Sequence, residues 1–115
     1  MRKAARSVCP VACVLDAIGD KWTLLVVRDL ACGKQYFNEF CKSPERIATN
    51  ILADRLERLV QGGFAVKAAS AETPGRDAYR LTKKGKSLRP IVMAIADWGL
   101  ANIEGTMLGM KPNFR

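Results

Sequence analysis

Between Ile47 and Gln61, Leu52, Leu56 and Leu59 recur at helical spacing. Asn50, Asp54, Glu57 and Gln61 fall on the opposite side at about 100° per residue, so the stretch predicts an amphipathic helix with one core face and one free polar face. Ser43-Pro44 reads as the turn before it and Gly62-Gly63 as its stop. Upstream, Pro10 suits a first helical position, placing Cys9 at the N-cap of a short helix with Val11, Val14, Leu15 and Ile18 on one side and Gly19 at its end. Asp20 is the next N-cap. From Lys21 to Ala31 the run is apolar nearly all round, as expected of a central helix touched on several sides. Gly33 closes it, Tyr36-Phe37 reads as a brief extended piece, and a short helix begins near Asn38.

After Gly62-Gly63 the period changes to two. Phe64, Val66 and Ala68 alternate with Ala65, Lys67 and Ala69, and alternation resumes from Asp77 to Thr82 beyond a loop holding Pro74-Gly75, so a β-hairpin with an exposed, positive tip at Arg76 is predicted. A last helix opens near Lys83 and carries an apolar stripe of Leu88, Ile91, Val92, Ile95 and Trp98, with Pro90 in its first turns or kinking it. Residues 1–8 read as a basic arm and 9–104 as one domain. Residues 105–115 show no period and receive no assignment. Three helices followed by a hairpin, with the third helix free on one face, is the order of a winged helix-turn-helix, mainly α with a small hairpin.

Composition narrows the partner. The 115 residues suffice for one core, and 19 Lys and Arg against 11 Asp and Glu leave a formal charge of +8, which favours a polyanion, nucleic acid first. Membrane is the weaker option: no apolar run nears the roughly 20 residues of a span, and the cations do not line one face of a long helix. With no signal peptide evident, a cytoplasmic protein is expected. There is no histidine, which removes the commonest general base, and Cys9, Cys13, Cys32 and Cys41 lack the paired spacing of a zinc knuckle. Neither catalysis nor a metal or other cofactor is expected.

Several motifs in order carry a resemblance: Cys9-Pro10, Gly19-Asp20-Lys21-Trp22-Thr23-Leu24-Leu25, Phe37-Asn38-Glu39-Phe40, Ile47 to Leu59, Tyr79-Arg80-Leu81-Thr82-Lys83-Lys84-Gly85 and Trp98-Gly99. Over residues 9 to 99 the chain strongly resembles the HxlR family of winged-helix transcriptional regulators, relatives of the MarR group. The resemblance implies a bacterial homodimer whose first and last helices pair between subunits and whose two recognition helices read a palindromic operator. Val11, Leu15, Leu88, Ile91, Val92, Ile95 and Trp98 are the expected dimer contacts, because the stripe on the last helix exceeds what so small a core needs. Two departures stand out. Family members often have an arginine where this chain has Tyr36, and a glycine where it has Arg46.

The expected DNA contacts are Arg46, Thr49, Asn50, Arg55 and Arg58 around the recognition helix and Lys67, Arg76 and Arg80 on the wing. Asn suits adenine, and Arg suits guanine or phosphate. The blander alternative is a solvated charged face, and Arg55 has the further option of supporting the fold. Asp54 is expected to pair with Arg58 at i,i+4 or to accept from a cytosine. Cys9, at a helix N-terminus with Lys3 and Arg6 nearby, is a candidate for thiolate chemistry toward oxidants or small electrophiles, with Cys13 one turn on to resolve it. The resemblance points the same way, since some members sense oxidants or quinones through a cysteine at this position by forming disulfides between subunits. The alternative for Cys9 is a small residue packed at a dimer contact, while Cys32 and Cys41 read as structural. Trp22 and Trp98 read as core aromatics more readily than as a ligand pocket. The expected function is thus a DNA-binding transcriptional regulator, a repressor, with thiol responsiveness. A thiol-redox enzyme using Cys9 and Cys13, or a protein-interaction module, are the alternatives from other classes. The enzyme is disfavoured by its C-x3-C spacing without a βαβ context.

Overall fold

A computed structural model describes residues 6–109; Arg2 and Lys3 of the basic arm, and Met110, Pro112 and Phe114 of the tail, lie outside them. Cys9 is extended and Pro10 opens α1 (Pro10–Ile18). The helix stops where the Gly19 N–H reaches the Leu15 carbonyl at 2.8 Å. A Cβ at Gly19 would lie 2.4 Å from that oxygen, so the stop requires glycine. Of α1 only Ile18 is buried.

Asp20, expected as the N-cap of the next helix, stands two residues before it, and Trp22 takes the N-cap position. The Asp20 Oδ2 accepts from the backbone N–H of Trp22 and Thr23 at 3.1 and 3.2 Å, which holds residues 20–22 in a turn and starts α2 at Thr23 (Thr23–Ala31) rather than at Lys21. Nor is α2 apolar all round. Val26, Val27 and Leu30 enter the core, but Asp29 is buried as well and Arg28 lies beside it. α3 (Phe37–Cys41) follows an extended Tyr36. Glu39 Oε1 accepts from the N–H groups of Gln35 and Tyr36, and these bonds hold its carboxyl below the ordinary value. Phe40 is buried edge-on to Tyr79.

α4 (Thr49–Gln61) buries Leu52, Leu56 and Leu59 almost completely, worth roughly 1.5–3 kcal/mol each. Gly62 and Gly63, the latter at φ +81°, turn the chain into β1 (Ala65–Ala69), antiparallel to β2 (Asp77–Leu81) with Ala65 opposite Leu81 and Ala69 opposite Asp77. Thr82 locks the wing base: its hydroxyl donates to the Gly63 carbonyl at 2.5 Å and accepts from the Gly85 N–H at 3.1 Å.

The expected last helix is two. α5 (Lys83–Lys86) is a single turn, and α6 (Arg89–Asn102) restarts with Pro90 in its first turn, where a missing N–H costs nothing. Leu88 and Val92, an i,i+4 pair, face the chain's own core at 6% and 8% exposed, so neither is free to form the dimer contact expected of it. α2 is the hub, packed against α4, α6 and β2. The architecture is mainly helical with one two-stranded hairpin, the winged helix expected. Among the described residues no helix is long and apolar enough to cross a membrane.

Candidate nucleic-acid interface

The turn before α4 is built from an ionic cluster absent from the sequence reading, with Asp29 and Ser43 buried at its centre and Lys34 and Glu45 toward solvent. Arg28 grips Asp29 through Nε and Nη2, and Glu45 through both Nη atoms at 2.8 Å. The Ser43 hydroxyl donates to Asp29 Oδ2 and accepts from Lys34 Nζ at 2.8 Å. Hydrogen bonds from Arg28 hold the Glu45 carboxyl below its ordinary value, against a smaller opposing effect of burial. Five residues spread over eighteen positions thereby tie α2 to the segment that launches α4. Arg46 completes the turn at φ +57°, its N–H donating to the Ser43 carbonyl at 3.0 Å. A left-handed backbone here is why a glycine suits this position, and the arginine side chain is exposed.

On α4 itself the polar positions divide. Thr49 and Asn50 are exposed at the first turn and have no side-chain hydrogen bond among the described residues. Arg55 points inward: its Nε donates to Asp20 Oδ2 at 2.8 Å and its Nη1 to Asp54 Oδ2 at 2.5 Å, and its side chain is only 18% exposed. Of its two expected roles, the structure places Arg55 in the supporting one. Arg58 Nε meets the same Asp54 Oδ2 at 3.0 Å, the i,i+4 pair expected. Asp54, held between two guanidiniums, therefore adds little net negative charge to the face.

The wing differs from its expected form. Arg76 is not a free tip. Its guanidinium lies 3.9 Å from the Tyr36 ring centroid and donates to Asn38 Oδ1, folding the loop onto the start of α3. The Tyr36 hydroxyl also meets Ser70 Oγ at 2.7 Å. Tyr36, one of the two departures from the resembled pattern, thus carries an arginine from the wing stacked on its ring. The pairing of Arg76 with Tyr36 and Asn38 could be found only by contact, since nothing in the local sequence links them. Lys67 and Arg80 are exposed on the two strands.

Cys9 is exposed, and Cys13 is half-buried with its thiol donating to the Ser7 carbonyl at 3.4 Å. Arg6, expected beside Cys9, instead pairs with Asp16 at 2.7 Å. Cys32 and Cys41 pack partly buried against the core. Trp22 borders a void of only about 10 Å³, no more than a water's space, which removes the ligand reading there. Trp98, expected in the core, is 64% exposed.

A buried leucine face on α4, a fixed turn before it and a hairpin after it define a winged helix-turn-helix. A family model of HxlR-like helix-turn-helix proteins matches residues 17–107, and the chain belongs to that family, one of transcriptional regulators. It is 35% identical over 91 residues to the HTH-type transcriptional regulator YdeP of Bacillus subtilis, covering 79% of this chain and 71% of YdeP. The structure resembles PA1607 at a TM-score of 0.80 with 42% identity, covering 90% of this chain and 73% of that one. It also resembles the reduced form of the redox regulator HypR at 0.75 with 32% identity, covering 84% and 95%.

Proposed function

We propose that the protein is a sequence-specific double-stranded DNA-binding repressor that works as a homodimer on a palindromic operator. The observation that carries this is the division of α4: three leucines are fully buried, while Thr49 and Asn50 stand exposed, without side-chain hydrogen bonds among the described residues, at the end of the helix that a winged helix presents to the major groove. Asn50 is the base reader. Arg46 and Arg58 contact phosphate, and Lys67, Arg80 and Arg76 extend the contact along the wing. Arg55 is left out of this set because Asp20 occupies it.

The dimer is built from the apolar residues that the fold leaves bare. Val11 and Leu15 on α1 are 66% and 53% exposed, and Ile91, Ile95 and Trp98 on α6 are 40%, 54% and 64% exposed. These two bare apolar faces are the surface that a C2 partner covers. The exposed Cys9 is the responsive thiol, a reading supported by the likeness to HypR, a redox regulator. In that step two Cys9 thiols, one per protomer, lose two electrons and two protons to an oxidant such as diamide and form one disulfide.

The test is titration of a duplex from the gene's own upstream region at several salt concentrations. Tight binding whose logarithm falls linearly with log salt, at a slope of roughly −0.9 per phosphate contacted, is expected; salt-indifferent binding would refute the reading. Diamide is expected to release DNA from the wild type and not from Cys9→Ser, and equal release from both would remove the thiol switch.

A further inference from the structure

The outer edge of β2 ends in an open backbone position. The Thr82 N–H reaches the Phe64 carbonyl at 3.0 Å and the Ser70 N–H the Arg76 carbonyl at 2.7 Å, so the hydrogen-bonded pairs of the hairpin are Phe64 with Thr82, Val66 with Arg80 and Ala68 with Ala78. Tyr79 and Leu81 lie between these pairs and turn their N–H and C=O groups away from β1. Gln35 closes one end of that edge, where its carbonyl accepts from the Tyr79 N–H at 2.8 Å, and α5 closes the other. Between them the Leu81 N–H and C=O have no hydrogen bond among the described residues.

Beside this edge lies a cavity of about 300 Å³, bounded by the end of α2 and by the corner between α5 and α6. Its lining carries Lys34, Arg80, Lys86 and Arg89 and no carboxylate. Lys34 is already engaged, donating to Ser43 Oγ at 2.8 Å. Lys86 and Arg89 have no hydrogen bond or ion pair among the described residues, although Arg89 is half-buried. A guanidinium partly withdrawn from water and left unpaired favours an arriving carboxylate.

The DNA-reading turn does not account for these cations. Lys84 Nζ donates to the Gly62 carbonyl at 2.8 Å, which puts α5 at the C-terminal end of α4, about 20 Å along that helix from Thr49. Nor does the apolar stripe on α6. At about 100° per residue, Arg89 stands roughly 120–180° around the helix from Ile91, Ile95 and Trp98, so a second copy seated on that stripe leaves it open.

A phosphate would meet the cations but set its oxygens against the Leu81 carbonyl. An extended peptide residue opposite Leu81 instead accepts from its N–H and donates to its C=O, the pairing by which a sheet edge takes up a further strand. We infer that this edge is the docking site for a short, extended, acidic segment of a partner protein, paired with Leu81 through its backbone and held through its carboxylates by Lys86 and Arg89. The site makes no use of the DNA contacts proposed above, and its occupation does not depend on them.

The probe is a fluorescein-labelled pentapeptide of alternating glutamate and valine, titrated into the full chain and followed by anisotropy. With unlabelled peptide at about ten times its Kd, amide exchange with water at Leu81, followed by NMR, is expected to slow about tenfold, because it then proceeds only from the free fraction. Exchange at Asn50, in the first turn of α4, is expected to stay unchanged. Arg89→Gln and Lys86→Glu are each expected to weaken binding about fivefold. Lys86 is exposed, so its variant keeps the test open should Arg89→Gln fail to fold. Glutamine in place of glutamate should weaken the peptide further, and methylation of every backbone nitrogen should abolish the slowing at Leu81. Absence of binding overturns the site, as does full affinity in Lys86→Glu. Slowing at Asn50 in place of Leu81 puts the peptide on the recognition turn and overturns it too. Equal affinity of the methylated peptide, or displacement by inorganic phosphate at the same concentration, would leave a cation patch without strand pairing. Displacement by upstream duplex would give the cations to DNA, and a Leu81 amide already slow in the free protein would mean that the edge is taken; either result overturns the inference.

Discussion

Arg55, in the middle of α4, donates its Nε–H to Asp20 Oδ2 at 2.8 Å, and the same oxygen accepts from the Trp22 and Thr23 N–H groups in the turn that opens α2. One carboxylate thus starts the central helix and anchors the recognition helix. Burial alone would raise the Asp20 carboxyl, but hydrogen bonds from Arg55, Thr23 and the Trp22 N–H, with the charge of Arg55, hold it well below the ordinary carboxylate range.

The first prediction concerns this link. A carboxyl that is depressed in the folded state contributes stability above its unfolded value near pH 4 and loses it as the pH falls further. Asp20→Asn is expected to cost about 1–2 kcal/mol at pH 7, discounted for partial exposure, and the gap in urea midpoint between it and the wild type should shrink from pH 4 toward pH 2. A gap that stays constant would show that Asp20 acts as a neutral cap only.

Arg46 carries two opposed effects. At φ +57° a non-glycine backbone is strained by about 1 kcal/mol, so Arg46→Gly should raise stability by up to that amount. The lost cation should weaken DNA binding evenly across sequences and reduce the salt slope by about one contact. Denaturation and salt-dependent titration on one variant separate the two, and unchanged DNA affinity would leave Arg46 with no contact.

Tyr36 holds the wing through Arg76 and Ser70. Tyr36→Leu should release residues 70–76, seen as faster amide exchange there with α4 unchanged, at a cost of about 1 kcal/mol. DNA affinity should fall without a change in sequence preference. Slow exchange retained in the loop would mean that the hairpin orders itself.

Gly85 packs its Cα against the wing base. An added Cβ would stand 2.0 Å from the Phe64 carbonyl oxygen and 2.8 Å from Leu81 Cδ2. Gly85→Ala must therefore separate α5 from the hairpin, and a loss above about 2 kcal/mol is expected in thermal or urea unfolding.

What the sequence made legible was what local chemistry decides. Pro10, Gly19 and Gly62-Gly63 mark helix ends through the backbone alone, and the leucine spacing of α4 fixes its inner face. The residues misplaced were those decided by distant partners. Arg28 and Asp29 drew no role in a helix read as apolar nearly all round, because their partners Ser43 and Glu45 lie a turn and a helix away. Arg76 looked like a free tip because nothing near it in the chain announces Tyr36. Leu88 and Val92 shared a stripe with Ile91 and Ile95 on paper, but the i,i+4 pair Leu88 and Val92 is turned around the helix from Ile91 and Ile95, and only the packing against the rest of the chain decides that the first pair is buried and the second bare.

That separation makes the dimer testable without unfolding the protomer. Ile95 is 54% exposed and lies outside the buried core, so Ile95→Asp removes little packing from the single chain. If α6 meets a second copy, the substitution buries a carboxylate in an apolar contact, which costs several kcal/mol per interface. Sedimentation should then show a monomer with unchanged circular dichroism, and DNA binding should fall to that of a single recognition helix on a half-site. Val92→Asp is the contrast: 8% exposed in the protomer core, it should unfold the chain at any concentration. An Ile95→Asp protein that still sediments as a dimer would move the interface away from this stripe.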